Sequence, residues 1–161
     1  MKQSSKNSLK VYLAFVLLSE AVGALSGWLS RDGMTYYSAF VEKPPLSPPP
    51  VVFPIVWGIL FALMGIGAAR VCLSPASPKR SVGLRLFFVQ LAFNFVWSLI
   101  FFQWRAYGVA FFWLVILWAL ILSMTLTFRE IRRWTGMIQI PYLAWVLFAG
   151  YLNLGVWLLN R

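Results

Sequence analysis

Gln90, Asn94, Trp97 and Ser98 recur at i, i+4, i+7 and i+8 within an apolar run, the spacing that places side chains on one helical face. Two amides and an indole on such a face bring hydrogen-bond donors and acceptors beside a flat ring. They either bond to neighbouring helices and hold a bundle together or wall a pocket. Tyr142, Trp145, Ala149 and Asn153 form a second face of this kind, with the small residues Gly150 and Gly155 beside it. Two aromatic-and-amide faces on separate helices point to a cavity for a flat, mostly apolar ligand. Glu20 lies inside another apolar run. An intramembrane carboxylate is a functional candidate by default, although protonation or a hydrogen bond across a bundle would also account for it.

Other chemistry is poorly supplied. The chain has no His, so it offers no His-based triad, His-bound metal or His-ligated haem. Cys72 is the sole cysteine and has neither a disulfide partner nor companions for a zinc site. Glu20, Asp32, Glu42 and Glu130 are the only carboxylates, and no two of them share a helical spacing suited to acid–base work.

The elements that must position these faces are membrane helices. Of 161 residues, 61% are apolar and 11% charged, against about 25% charged in soluble domains. Five apolar runs reach the roughly 20 residues a helix needs to cross a hydrocarbon core. They span residues 9–29, 51–71, 82–102, 106–128 and 137–159. Helices are the economical choice, because an open sheet in lipid leaves backbone groups unpaired. The expected fold is therefore an all-α integral membrane protein, a bundle of five transmembrane helices forming one domain over residues 1–161. The first run carries Glu20 and no clean cleavage site, so it reads as a retained helix rather than a signal peptide.

Basic residues between the runs orient the bundle. Lys2, Lys6, Lys10, Arg70, Lys79, Arg80, Arg85, Arg129, Arg132 and Arg133 fall on the side of the N-terminus, whereas Arg31, Lys43, Arg105 and Arg161 fall opposite. The positive-inside rule then places the N-terminus in the cytoplasm and the C-terminus outside. The net charge of +10 is accordingly membrane-flanking, and no nucleic-acid partner is expected.

Within the runs, Gly23 with Gly27, and Gly58 with Ala62, Gly65 and Ala69, form small-residue stripes that read as helix packing. The fourth run is apolar nearly all round and is expected to face lipid or a second subunit. Residues 30–50 read as a loop that holds Pro44, Pro45, Pro48, Pro49 and Pro50 and leads through Pro54 to Trp57. Prolines fix φ and lack an N–H, so this loop is stiff and extended, while Pro54 fits the first turn of the next helix.

Three segments in order, "KPPLSPPPVVFPIVWGILFALMG", "QLAFNFVWSLIFF" and "IPYLAWVLFAGYLNLGVWLLN", resemble the signature segments of the TspO/MBR family, the tryptophan-rich sensory or translocator proteins also called peripheral benzodiazepine receptors. The likeness runs from about Tyr37 to Asn160 in the same five-span order. It implies a five-helix bundle, commonly dimeric, that binds porphyrins and other hydrophobic ligands beneath a lid formed by the first loop. Carried over motif by motif, it implicates Trp57, Gln90, Asn94, Trp97, Trp145 and Ala149 as ligand-binding residues, to which the face read from spacing adds Tyr142. Tyr37, Pro44, Pro45, Pro48 and Pro49 become the lid. Many members have Trp-Tyr where this chain has Tyr37-Ser38, and Trp where it has Leu46. Leu154 and Leu158 stand where a sterol-associated motif needs other residues, so cholesterol is not expected.

The resulting expectation is a tetrapyrrole-binding translocator, sensor or scavenger in the lipid bilayer. Protoporphyrin IX or haem is its ligand, it requires no cofactor, and it forms a homodimer. A proton-coupled small multidrug exporter using Glu20 is the alternative from another class. An enzyme that degrades porphyrin with light and oxygen, through Trp57 and Trp145, is a third.

Overall fold

A computed structural model describes residues 2–161, with side chains from Asn7 onward. The chain forms α1 (Lys2–Phe40), α2 (Val52–Cys72), α3 (Pro78–Ser98), α4 (Tyr107–Ile131), the short α5 (Arg133–Met137) and α6 (Ile140–Leu159). Among the described residues, five stretches are long and apolar enough to cross a membrane: Asn7–Phe40, Val52–Cys72, Pro78–Gln103, Tyr107–Ile131 and Arg133–Leu159. The molecule is the five-helix membrane bundle that its hydropathy pattern calls for.

Boundaries differ from expectation where tertiary contacts reward continued helix. Residues 30–40 are not loop, because α1 runs on to Phe40. Ser30 Oγ meets Ser98 Oγ at 2.9 Å, Gly33 lies against the backbone of Phe102, and Tyr37 packs on Phe101 and Phe102 with ring centroids 5.5 and 5.4 Å away. The helix ends at Phe40, and Lys43, the residue before Pro44, is in any case driven away from helical geometry. At its other end the expected third span starts earlier, with Ser77 capping α3 by accepting from Arg80 N at 3.2 Å and Pro78 at the first helical position.

α3 widens after Ser98 into a π-helical turn, Leu99–Gln103, closed by Trp104 N donating to Leu99 O at 2.9 Å. Turns of this kind insert one extra residue and turn side chains to new directions. The expected connection between the fourth and fifth runs, residues 129–136, is largely helical and breaks at one residue. Arg132 is extended (φ −150°, ψ 118°). Phe128 O accepts from Arg132 N at 2.9 Å and Arg132 O from Thr135 N at 3.0 Å. Thr135 Oγ1 stands 2.8 and 2.7 Å from the same two carbonyls, with one proton to give to either.

The fourth helix meets the expectation of a lipid-facing or subunit-facing element on one face only. Ala110, Leu114, Leu117, Ile121, Met124, Thr125 and Phe128 form a buried stripe along α4, which packs closely on α3 and α6. Its uniform apolarity hides the stripe, because the opposite face, with Phe112, Val115 and Ile116, is just as apolar and is exposed. The small-residue stripes act as packing surfaces only in part. A Cβ on Gly65 would stand 2.6 Å from Val16 Cα, so α1 and α2 meet there backbone to backbone. Gly27 and Gly58 have open space beside them instead.

Candidate functional site

Close packing joins α1 to α2, α3 to α4 and α4 to α6, but α6 has no comparable approach to α2 or α3. Side chains bridge that space, and they are the residues singled out in the sequence. Asn94 Nδ2 donates to Tyr142 Oη at 2.8 Å, and Tyr142 Oη donates to Gln90 Oε1 at 2.7 Å. Gln90 Nε2 in turn donates to Phe87 O at 3.1 Å. One turn further along, Trp97 Nε1 donates to Asn153 Oδ1 at 3.2 Å, and Asn153 Nδ2 donates to Tyr107 O at 2.8 Å. Gln90, Asn94, Trp97, Tyr142, Ala149 and Asn153 are all buried. In lipid an unpaired polar group is costly, so mutual pairing is what allows this many amides inside the bundle.

The tryptophans bound this space on the α2 side. Trp57 packs on Tyr142 edge to face, with centroids 6.2 Å apart, and on Phe61 at 5.6 Å. Trp145 leaves the inward stripe of α6 and lies between Phe53 and Phe148, at 5.9 and 5.7 Å. With Val56, Ile59 and Pro141 it lines an apolar groove of about 360 Å³ between α2 and α6. Its indole N–H is buried without a hydrogen-bond partner. The structure therefore brings Gln90, Asn94 and Tyr142 into one network, joins Trp97 to Asn153, sets Trp57 against Tyr142, and puts Trp145 at the groove.

The Pro-rich segment closes over one end of this space. Pro44 is buried and packs on α6 so tightly that a Cβ at Gly155 would stand 2.5 Å from its own Cβ. Tyr151 Oη donates to Pro45 O at 2.9 Å. Asn160 grips the strap like a one-residue β-bridge: its Oδ1 accepts from Glu42 N at 3.0 Å and its Nδ2 donates to Glu42 O at 2.9 Å. Pro49 O accepts from Val52 N at 3.0 Å and starts α2, with Pro48 beside it. Tyr37, expected in the lid, belongs to the last turn of α1 and packs on the end of α3, because α1 outruns its expected boundary. Leu46 sits at the apex in left-handed geometry (φ 66°) and is 80% exposed. It points out of the bundle.

Sequence reasoning missed this clasp. Asn160 and Tyr151 stand at the end of an apolar run and have no spacing partner, and their targets are backbone atoms more than a hundred positions away. Glu20 is half-buried in α1, and among the described residues no basic side chain pairs with it. The described residues hold no group of His, Cys, Asp or Glu suited to a metal.

Lys43, Arg31, Arg105 and Arg161 each lie over an aromatic ring: Tyr37 at 5.2 Å, Trp28 at 5.0 Å, Tyr36 at 3.8 Å and Trp157 at 5.6 Å. These are cation–π distances, so the sparse positive charge at this end is held against protein.

The TspO/MBR family model matches residues 15–158. The chain is 34% identical to protein CrtK of Rhodobacter capsulatus, covering 95% of this chain and 94% of that one. It is 35% identical to the tryptophan-rich protein TspO of Chlorobaculum tepidum, over 87% of this chain and 89% of its relative. With the translocator protein of Bos taurus it shares 31% identity, over 92% and 89% of the two chains.

Proposed function

The chain belongs to the TspO/MBR family, a family of membrane sensors and translocators, and from that premise we propose that it binds a tetrapyrrole such as protoporphyrin IX or haem between α2, α3 and α6. One observation carries this reading. α6 faces α2 and α3 across a space filled by aromatic rings and paired amides rather than by close backbone packing, and a proline strap clasps its end. Flat rings stack on Trp57, Trp97 and Trp145. The amides of Gln90 and Asn94 trade their bonds to Tyr142 Oη for ring N–H groups or acceptors of the ligand. Trp145 Nε1, already buried without a partner, gains one.

The ligand's carboxylates extend towards the strap. Lys43 donates there to Ser38 O at 3.1 Å and to Val41 O at 3.4 Å, and its remaining proton serves a carboxylate. In this reading the end rich in Lys and Arg faces the cytoplasm and the strap faces outward.

Titration of purified protein with protoporphyrin IX quenches tryptophan fluorescence. The Trp57→Ala/Trp145→Ala variant weakens binding by about tenfold, as expected for two ring contacts worth about 0.5–1.5 kcal/mol each beyond their buried area. Absence of quenching at micromolar porphyrin, or equal affinity of the double variant, refutes the assignment.

A further inference from the structure

We propose that the opposite, basic end of the bundle holds the phosphate of an anionic phospholipid headgroup in the cleft between the α2–α3 connection and the break between α4 and α5. The two ends differ in how their positive charge is used. At the strap end each of the four cations lies over an aromatic ring, and Asp32 and Glu42 are close in sequence. At the basic end Lys10, Arg70, Lys79, Arg80, Arg85, Arg129, Arg132 and Arg133 share one carboxylate, Glu130. Among the described residues that carboxylate forms one ion pair, with Lys79 at 2.7 Å. The other basic side chains at this end form no ion pair among the described residues, which leaves an excess of positive charge open to an anion.

A cleft of about 300 Å³ focuses it, lined by Ser74, Ser77, Lys79, Glu130 and Arg132. Arg132 occupies the extended break between two helices, and its guanidinium offers the planar fork that matches two phosphate oxygens. Lys79 has donors to spare beyond Glu130. Ser77 Oγ accepts from Arg80 N, which leaves its proton for an acceptor in the cleft. Depth selects a lipid over a soluble phosphate. Trp134 follows directly on Arg132 and Arg133, and with Met137 and Ile140 it is exposed. Exposed tryptophan beside arginine marks the headgroup level of a membrane helix. A phosphate at that depth with an apolar tail fits both features.

The test uses the full chain in nanodiscs of phosphatidylcholine with or without phosphatidylglycerol, followed by native mass spectrometry of lipids retained after detergent exchange. Phosphatidylglycerol is retained in preference to phosphatidylcholine. Arg132→Gln lowers that retention about fivefold, as expected for one basic contact at a membrane surface. Glu130→Gln raises it by freeing Lys79, and Arg85→Gln, outside the cleft, leaves it unchanged. All three positions are exposed, and circular dichroism verifies the helices. Equal retention of the two lipids overturns the proposal. So do equal losses in Arg132→Gln and Arg85→Gln, which indicate a diffuse field rather than a site. Displacement by inorganic phosphate at millimolar concentration overturns the assignment to lipid.

Discussion

The seam between α1 and α2 and the seam between α6 and its neighbours α2 and α3 are built on opposite principles. The first brings backbones together. Gly65 lies on Val16, and Gly23 lies under the ring of Phe61. Small residues permit this approach, and in lipid, where helices gain nothing from hiding apolar surface, dispersion at close range holds them together. The second seam keeps backbones apart and fills the gap with Trp57, Tyr142, Gln90, Asn94 and Trp97. A seam of backbone contacts has no room to admit a guest. A seam of side chains admits one by rotamer change and exchange of hydrogen-bond partners, with the helices left in place.

The contrast is open to test at single residues. The largest effect is expected from Gly65→Leu, which inserts a side chain where even a Cβ would stand 2.6 Å from Val16 Cα. Overpacking of this kind costs about 1–3 kcal/mol or more. It appears as a lowered melting temperature in detergent, with or without porphyrin. Tyr142→Phe comes next. It leaves Gln90 Oε1 and Asn94 Nδ2 each short of a buried partner, at a cost of about 1–3 kcal/mol. Porphyrin recovers part of that loss if it takes up the freed amides, and an equal loss with and without porphyrin contradicts the picture of an exchangeable seam.

Asn160→Ala removes both bonds to Glu42, worth about 1 kcal/mol each at most in an exposed setting. Stopped-flow quenching should show porphyrin entering and leaving severalfold faster, with a smaller change in equilibrium affinity. Unchanged rates would mean that the strap does not gate the site. The smallest effect has the opposite sign. Gly58 has nothing within 4 Å of a built Cβ, so Gly58→Ala should stabilise α2 by about 0.5–1 kcal/mol through helix propensity. The same substitution at Gly65 should destabilise it.

Much of this was legible along the chain. Each of the five spans overlaps an expected apolar run, since the need to satisfy backbone groups in lipid leaves a run of that length little choice but helix. Gln90, Asn94 and Trp97 share their expected face, because helical periodicity alone dictates it. Three features were not legible. Residues 30–40, with Arg31, Asp32 and Gly33, read locally as loop and become helix because Ser30, Gly33 and Tyr37 dock on the end of α3. The buried stripe of α4 is invisible in an all-apolar run, where lipid and protein are alike as surroundings. The Asn160 clasp depends on a carbonyl and an N–H that every residue possesses, so no residue type announces it.

Period, length and polarity therefore settled which segments cross the membrane and that Gln90, Asn94 and Trp97 share one inward face, for these follow from local geometry and from the solvent the chain must live in. Partnership was a matter of three dimensions. Whether two amides meet a ligand, one another or a tyrosine depends on how far apart the helices stand. That spacing is set by glycine contacts at one seam and by the bulk of tryptophan and tyrosine at the other. Such distances arise only when all the helices pack at once, and no single stretch of residues encodes them.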